Sequence, residues 1–346
     1  MHHYAQGGAR GQVRCARRQL RENPNLCFEK LLPRQKVDEM FQRHGVQFRR
    51  RLYTPLLTLW TFLYQVLSED RSCMAAVARL LAALSLGHGP APCSAATGAY
   101  CKARERLPER VVADLARQSG RDLHARIPGL QLLKGRPIKL ADGTTVSMPD
   151  TPANQKVYPQ ISGQKPGVGF PIMRLVGLIS LSCAAVLDVA MGPYQGKRTG
   201  ENALLQQIVE ALRAGDVLLA DACYANYWTV AQLRQHAVDI VTHHDGKRRI
   251  DFRKGQRLGH KDHIILWHKP ARPAWMTAEM YARQPETLYI REVMVQVHQR
   301  GFRTRSLVVI TTLLDAGLYS SSDLAAACQS DQRPATLCAR TLPDRW

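Results

Sequence analysis

The sequence predicts an α/β protein in which a mixed sheet with flanking helices carries a β-rich insertion and follows an all-α amino-terminal region. Three observations predict it. From Pro33 to about Leu130 apolar residues recur at spacings of three and four. Between Arg136 and Thr242 short apolar runs alternate with amphipathic stretches. From His243 to Arg303 a polar, basic, turn-rich segment carries short runs in which Val, Ile and Tyr alternate with Arg, Glu and Gln. With 346 residues, 45% of them hydrophobic, the chain is long enough for one large or two modest domains with a buried core.

Residues 1–30 hold five arginines before Asn25 and no apolar periodicity, so they predict a basic, disordered arm. Residues 31–130 predict a helical region studded with basic side chains. Val37, Met40, Phe41 and His44 share one face, and Leu56, Leu59, Trp60, Leu63, Val66 and Leu67 share another. Ser72 can cap a third helix that the Gly87-His-Gly-Pro-Ala-Pro92 run ends, and two more helices cover about Thr97–Glu105 and Pro108–Arg126.

At Arg136 the pattern changes. Pro137–Ala141 is a short strand stopping at Asp142-Gly143, and Ile172–Ser182 and Ala184–Met191 are two strands joined by a tight turn. Glu201–Leu212 is an amphipathic helix capped near Thr199, and Asp216–Ala220 is a strand ending at Asp221. A helix over about Asn226–His236 and a strand at Val238–Thr242 complete residues 136–242, the first part of the core. Residues 243–303 form the insertion, residues 304–326 a last core strand and the start of a helix, and residues 327–346 an aberrant tail with two prolines and no helical stripe.

The 48 Lys and Arg against 28 Asp and Glu give a net charge of +20, and 36 of the cations are Arg. A guanidinium presents paired donors that match phosphate oxygens, so this excess points to nucleic acid rather than to a membrane surface or to charge serving solubility alone. The nine cysteines are scattered with no C-x-x-C spacing, which reads as reduced thiols without a zinc site. Neither the most apolar stretches nor the Arg-rich start resembles a membrane span or a signal peptide, so a cytoplasmic, nucleoid-associated protein is expected.

Asp142 and Asp221 both end predicted strands, and the order of elements allows those strands to lie side by side. Carboxylates are the hard oxygen ligands that Mg²⁺ and Mn²⁺ prefer, and two such ions can activate one oxygen and stabilise another against a phosphate. The structural alternative is that Asp142 opens an Asp-Gly turn and Asp221 caps the next helix.

Longer motifs extend this reading. Asp142-Gly-Thr-Thr-Val-Ser-Met-Pro-Asp150, running on to Tyr158-Pro-Gln160 and Gly163-Gln-Lys-Pro-Gly167, resembles the first-aspartate block of insertion-sequence-4 family transposases of the DDE type. Leu219-Ala-Asp-Ala-Cys-Tyr-Ala-Asn-Tyr-Trp228 is similar to their second-aspartate block. Arg49–Leu67 and Cys93–Arg104 resemble their helical amino-terminal region, and Phe302–Asp315 with Tyr319–Leu324 resembles the strand and loop that lead to the catalytic glutamate. The resemblance spans about Leu31–Ala326.

The resemblance implies a ribonuclease-H-like fold, a two-metal Mg²⁺ or Mn²⁺ site with Asp142 and Asp221 as catalytic ligands, and metal-dependent strand cleavage and transfer. It also implies binding of the element's terminal inverted repeats and a target duplex, within a homodimeric synaptic complex. The family's third acid should follow Leu324 on a helix, yet no Glu occurs after Glu292. The metal site is therefore expected to be incomplete, with a truncated or frameshifted, inactive DNA-binding remnant as the alternative. Asp323 reads as a helix cap and Glu292 as a solvated strand residue.

The remaining DNA-contact expectations are Arg49, Arg50 and Arg51 before a helix, and Lys165, Arg174 and Lys197 flanking the acids. Trp267 in the insertion can stack an unpaired base, against the commoner role of core packing. Cys223 reads as a small packed residue rather than a nucleophile.

Overall fold

The computed structural model describes residues 28–29, 31–47, 52–85, 94–126, 132–165, 167–246, 248–296 and 306–328. Arg49–Arg51, the amino-terminal arm, the Gly87–Pro92 run and most of the tail lie outside the described residues. The chain forms two compact units, residues 1–119 and 120–346. Their boundary falls inside the helix Glu109–Arg126 rather than between residues 130 and 136.

In the first unit, α1 (Arg34–Arg43), α2 (Pro55–Leu67), α3 (Cys73–Ser85), α4 (Gly98–Glu105) and the start of α5 (Glu109–Arg126) follow the expected order. Val37, Met40 and Phe41 of α1 pack on Leu59, Val111 and Leu115. Thr54 caps α2, its hydroxyl accepting from the Leu57 N–H at 3.3 Å, and Pro55 occupies the first turn. Ser72 caps α3 as expected, with Oγ accepting from Ala75 N–H at 3.1 Å.

The buried face of α2 differs from the expected one. It is Thr58, Leu59, Thr61 and Gln65, whereas Val66 and Leu67 are exposed. Polar anchoring overrides the apolar stripe there: the buried Gln65 Oε1 accepts from Tyr100 Oη at 2.6 Å and Arg104 Nη1 at 3.0 Å, and its Nε2 donates to Arg71 O at 2.7 Å. A buried amide is tolerated when its donors and acceptors are matched in this way.

In the second unit the strands are β1 (Leu132–Leu133), β2 (Arg136–Ser147), β3 (Ile172–Ser180), β4 (Val186–Pro193), β5 (Val217–Ala220), β6 (Asp239–His243), β7 (Gln256–Gly259), β8 (Asp262–His268), β9 (Thr287–Gln296) and β10 (Ser306–Thr311). They make one sheet in the order β4-β3-β2-β5-β6-β10-β9-β8-β7, with β1 on β2. The antiparallel meander β2-β3-β4 followed by β5 and β6 parallel to β2 is the ribonuclease-H-like arrangement. The insertion does not leave the core. Through β10, antiparallel to β6, it continues the same sheet outward.

The helices α6 (Pro152–Val157), α7 (Glu201–Ile208), α8 (Tyr227–Gln235), α9 (Ala278–Ala282) and α10 (321–328) connect the strands. Leu204, Leu205 and Ile208 of α7 and Val230, Ala231 and Leu233 of α8 cover one side of the sheet, against Val176, Leu178, Leu218 and Ile240. Leu324 and Ala325 of α10 join Leu140, Leu219, Val241 and Val309 in a separate cluster. Alternate residues of the central strands thus feed two clusters, the period of two expected when both faces of a sheet are covered.

Glu292 is not the solvated strand residue expected. It is 2% exposed, pairs with Arg248, and lies 3.0 Å from His263 Nε2. Its neighbour Arg291 is also buried, its guanidinium forked onto Asp262 at 2.8 and 2.6 Å. The polar positions of β9 are inward ones because β8 and β10 cover both its edges while Asp262 and His263 of β8, Arg248 and the Tyr319 carbonyl supply partners.

Candidate functional site

The last rungs of the parallel ladders place three side chains in a row. Ala141 of β2 pairs with Ala220 of β5, and Ala220 with Thr242 of β6, so the next residues along are Asp142, Asp221 and His243. Here β2 differs from expectation: it does not stop at Asp142 but continues to Ser147. The reason lies in its two edges, since the parallel partner β5 ends at Ala220 while the antiparallel partner β3 runs on to Ile172 opposite Ser147. Asp142 therefore stands where the parallel ladder ends, at the carboxyl edge where open α/β sheets bind ligands.

Asp221 also caps, as the structural alternative had it, its Oδ1 accepting from Ala222 N–H at 2.7 Å. That use leaves the carboxylate mostly exposed, and His243 Nε2 stands 3.3 Å from the same Oδ1. A third acid arrives from α7. Glu201, the first residue of that helix, accepts at Oε2 from Cys223 Sγ at 3.3 Å, so it reaches the segment that follows Asp221. On its other side it lies over Gly143: a Cβ there would sit 2.4 Å from Glu201 Cδ and 2.7 Å from Oε1.

The electrostatics agree with this placement. Burial first, then the negative charges of Glu201 and Asp221, hold the Asp142 carboxyl above its ordinary value, against a hydrogen bond from the Gly143 backbone. Enclosure by neighbouring atoms and the charge of Glu201 push the Cys223 thiol up, which removes it as a nucleophile, although the residue is exposed rather than packed as expected. Tyr224 is fully buried with no partner for its hydroxyl, and burial, together with Cys223 and the charges of Glu201, Asp142 and Asp221, pushes its pKa well above the ordinary phenol value, so it stays protonated.

The donor set of Asp142, Asp221 and Glu201 is all carboxylate, the chemistry suited to Mg²⁺ or Mn²⁺. The glycine that makes room for Glu201 and the unpartnered Tyr224 hydroxyl fit such a group as well. Among the described residues, no three His, Cys, Asp or Glu side chains converge closely enough to hold a single ion as placed.

The flanking cations are spread. Arg174, on β3, donates from Nη1 to Thr199 O at 3.0 Å and stacks over Tyr194 at 4.6 Å, so it braces the turn that launches α7. Lys165 and Lys197 are exposed. Trp267 is 7% exposed in the core, with the Arg248 guanidinium 4.5 Å over its ring. That ring is engaged by packing, and it lines a cavity of about 520 Å³ shared with Asn226, Tyr227, His244 and His268. Asp323 sits elsewhere: it caps α10 reciprocally with Ser320 and pairs with Lys134 at 3.0 Å, beside the amino-terminal end of β2.

Two residues at the site are not singled out by the sequence, His243 in the row and Glu201 beside it. His243 follows the strand Val238–Thr242 as Asp221 follows Ala220, a parallel signal that falls on the first residue of the expected insertion. Glu201 carries no signal beyond its place at the start of a helix, because its contact with Gly143 depends on how α7 packs on the sheet.

No protein-family model matches the chain, and no curated protein matches it. Among solved structures the chain is similar to the endonuclease V of Bacillus subtilis, at 10% identity and a TM-score of 0.23, over 66% of this chain and 94% of that one. A likeness of that size adds nothing to the geometry. No helix among the described residues is long and apolar enough to cross a membrane.

Proposed function

We propose that the chain is a DDE-type DNA transposase of an insertion sequence, which binds terminal inverted repeats and cuts and joins strands with divalent metal. The observation that carries this reading is the registered pair Asp142 and Asp221 just past the last rung of the parallel β2–β5 ladder of a ribonuclease-H-like sheet, in a chain of net charge +20. Asp142 and Asp221 would hold Mg²⁺ or Mn²⁺. Ions bound there supply activation of the attacking oxygen and stabilisation of the leaving one.

The protein's own share is position. The parallel ladder fixes the spacing of the two carboxylates, Arg174 braces the approach to α7, and exposed Lys165 and Lys197 offer charge to phosphates. Arg49–Arg51 are proposed to grip the DNA backbone, and a homodimer to hold two element ends together.

A second reading, a DNA-binding remnant without catalysis, is favoured by Asp323, whose capping and pairing with Lys134 take it away from the acid row. Nicking of a supercoiled plasmid that carries the gene with its flanking DNA separates the two. The transposase reading predicts Mg²⁺- or Mn²⁺-dependent nicking that Asp142→Ala abolishes; retention of that DNA in a gel-shift assay with no nicking establishes the remnant instead.

A further inference from the structure

We infer that Glu201 is the third carboxylate of the acid site, entering from α7 rather than from the carboxy-terminal helix. The inference rests on the reading of Asp142 and Asp221 as metal ligands and adds a residue to it.

Three independent features carry it. First, Glu201 spans the two aspartate blocks. Its Oε1 occupies the volume a side chain at position 143 would need, one residue after Asp142, and its Oε2 takes the Cys223 thiol at 3.3 Å, two residues after Asp221. A glutamate with no role would turn its flexible chain to solvent at the first turn of a helix, where its charge already favours the amide dipoles. Here it is instead only partly exposed and set against the sheet.

Second, Tyr224 is fully buried and its hydroxyl has no partner, although it lies within electrostatic reach of Asp142, Glu201 and Asp221. A buried hydroxyl left unpaired is costly, so Tyr224, three residues after Asp221, is a donor open to an oxygen-bearing group in the site, such as metal-bound water or a phosphate.

Third, the helix is fastened so that Glu201 stays in place. Arg174 Nη1 holds Thr199 O at 3.0 Å, and Asn202, the next residue, donates from Nδ2 to Cys223 O at 2.9 Å and accepts at Oδ1 from Asn226 at 2.8 Å. Those bonds tie the start of α7 to β3 and to the loop after β5.

The test is Mn²⁺ binding by the full chain, followed as loss of the free-ion electron paramagnetic resonance signal, for the wild type and for Glu201→Gln, Asp142→Asn, Asp221→Asn and Asp323→Asn. Glu201→Gln and Asp221→Asn should each weaken binding at least about ten-fold, the lower end of losses seen when a metal-supporting group is removed, and Asp323→Asn should bind as the wild type does. Glu201→Asp, one methylene shorter, should fall between wild type and Glu201→Gln, which guards against a folding defect in the amide variant. Wild-type affinity in Glu201→Gln beside a loss in Asp221→Asn overturns the inference and leaves the function standing. Equal binding by the wild type, Asp142→Asn and Asp221→Asn overturns both.

Discussion

Gly143 and Glu201 share one volume: the place of a Cβ on the glycine is 2.4 Å from the Glu201 Cδ. The atoms it would meet belong to the end of a flexible side chain, which can swing away. Gly143→Ala should therefore leave the melting temperature within about 3 °C of wild type, a shift equivalent to about 1 kcal/mol in a chain this large, while Mn²⁺ affinity falls as in Glu201→Gln. A large drop in melting temperature with affinity intact would mean that the glycine serves the backbone and not the acid.

Gly120 is the contrasting case. A Cβ there would lie 2.0 Å from the Val186 carbonyl oxygen, which is backbone and cannot rotate aside. Gly120→Ala should destabilise the second unit by about 2 kcal/mol or more, as overpacking does, read from urea denaturation. Wild-type stability would show that the helix and β4 separate more easily than the close approach indicates.

Asp142 makes a prediction with a definite sign in pH. Its folded value is raised by burial and by Glu201 and Asp221, so its stabilising effect is present only below the unfolded carboxylate range and is lost as pH rises through the raised value. At neutral pH the ionised form is a net cost. In metal-free buffer, Asp142→Asn should raise the melting temperature at pH 7, and the gain should vanish on acidification below about pH 4, the ordinary carboxylate range. A destabilised Asn variant at pH 7 would contradict the crowding of charge at this site.

Glu292 should behave as structure and not as chemistry. Removing it leaves the buried His263 and the paired Arg248 without their acceptor. Glu292→Ala should cost about 3 kcal/mol in unfolding free energy, the scale for breaking a buried ion pair, with Mn²⁺ affinity unchanged. A loss of metal binding at wild-type stability would place Glu292 in the site.

Much of the fold was legible because its signals are local. The runs ending at Ala141, Ala220 and Thr242 each became a strand, and Thr54, Ser72 and Asn226 cap helices as their side chains allow. What stayed hidden depends on distant partners. Lys139 sits inside an apolar run and is 2% exposed, held by His124 Nε2 at 2.5 Å, a residue on a helix outside the core segment. Glu292 looks like a solvent position of an alternating strand until β8 supplies His263 and β10 covers the second edge. The acid row was half visible for the same reason. Asp142 and Asp221 announce themselves at strand ends, whereas Glu201 depends on the docking of α7 over Gly143.

The most direct test of the account is end mapping on a supercoiled plasmid carrying the gene and its flanking DNA, incubated with the full chain and Mg²⁺ or Mn²⁺. The account predicts metal-dependent breaks with free 3′ hydroxyls at fixed positions bordering the gene, absent from Asp142→Ala and from Asp221→Ala. Breaks that persist in both variants, or that scatter without regard to the gene's borders, would contradict it.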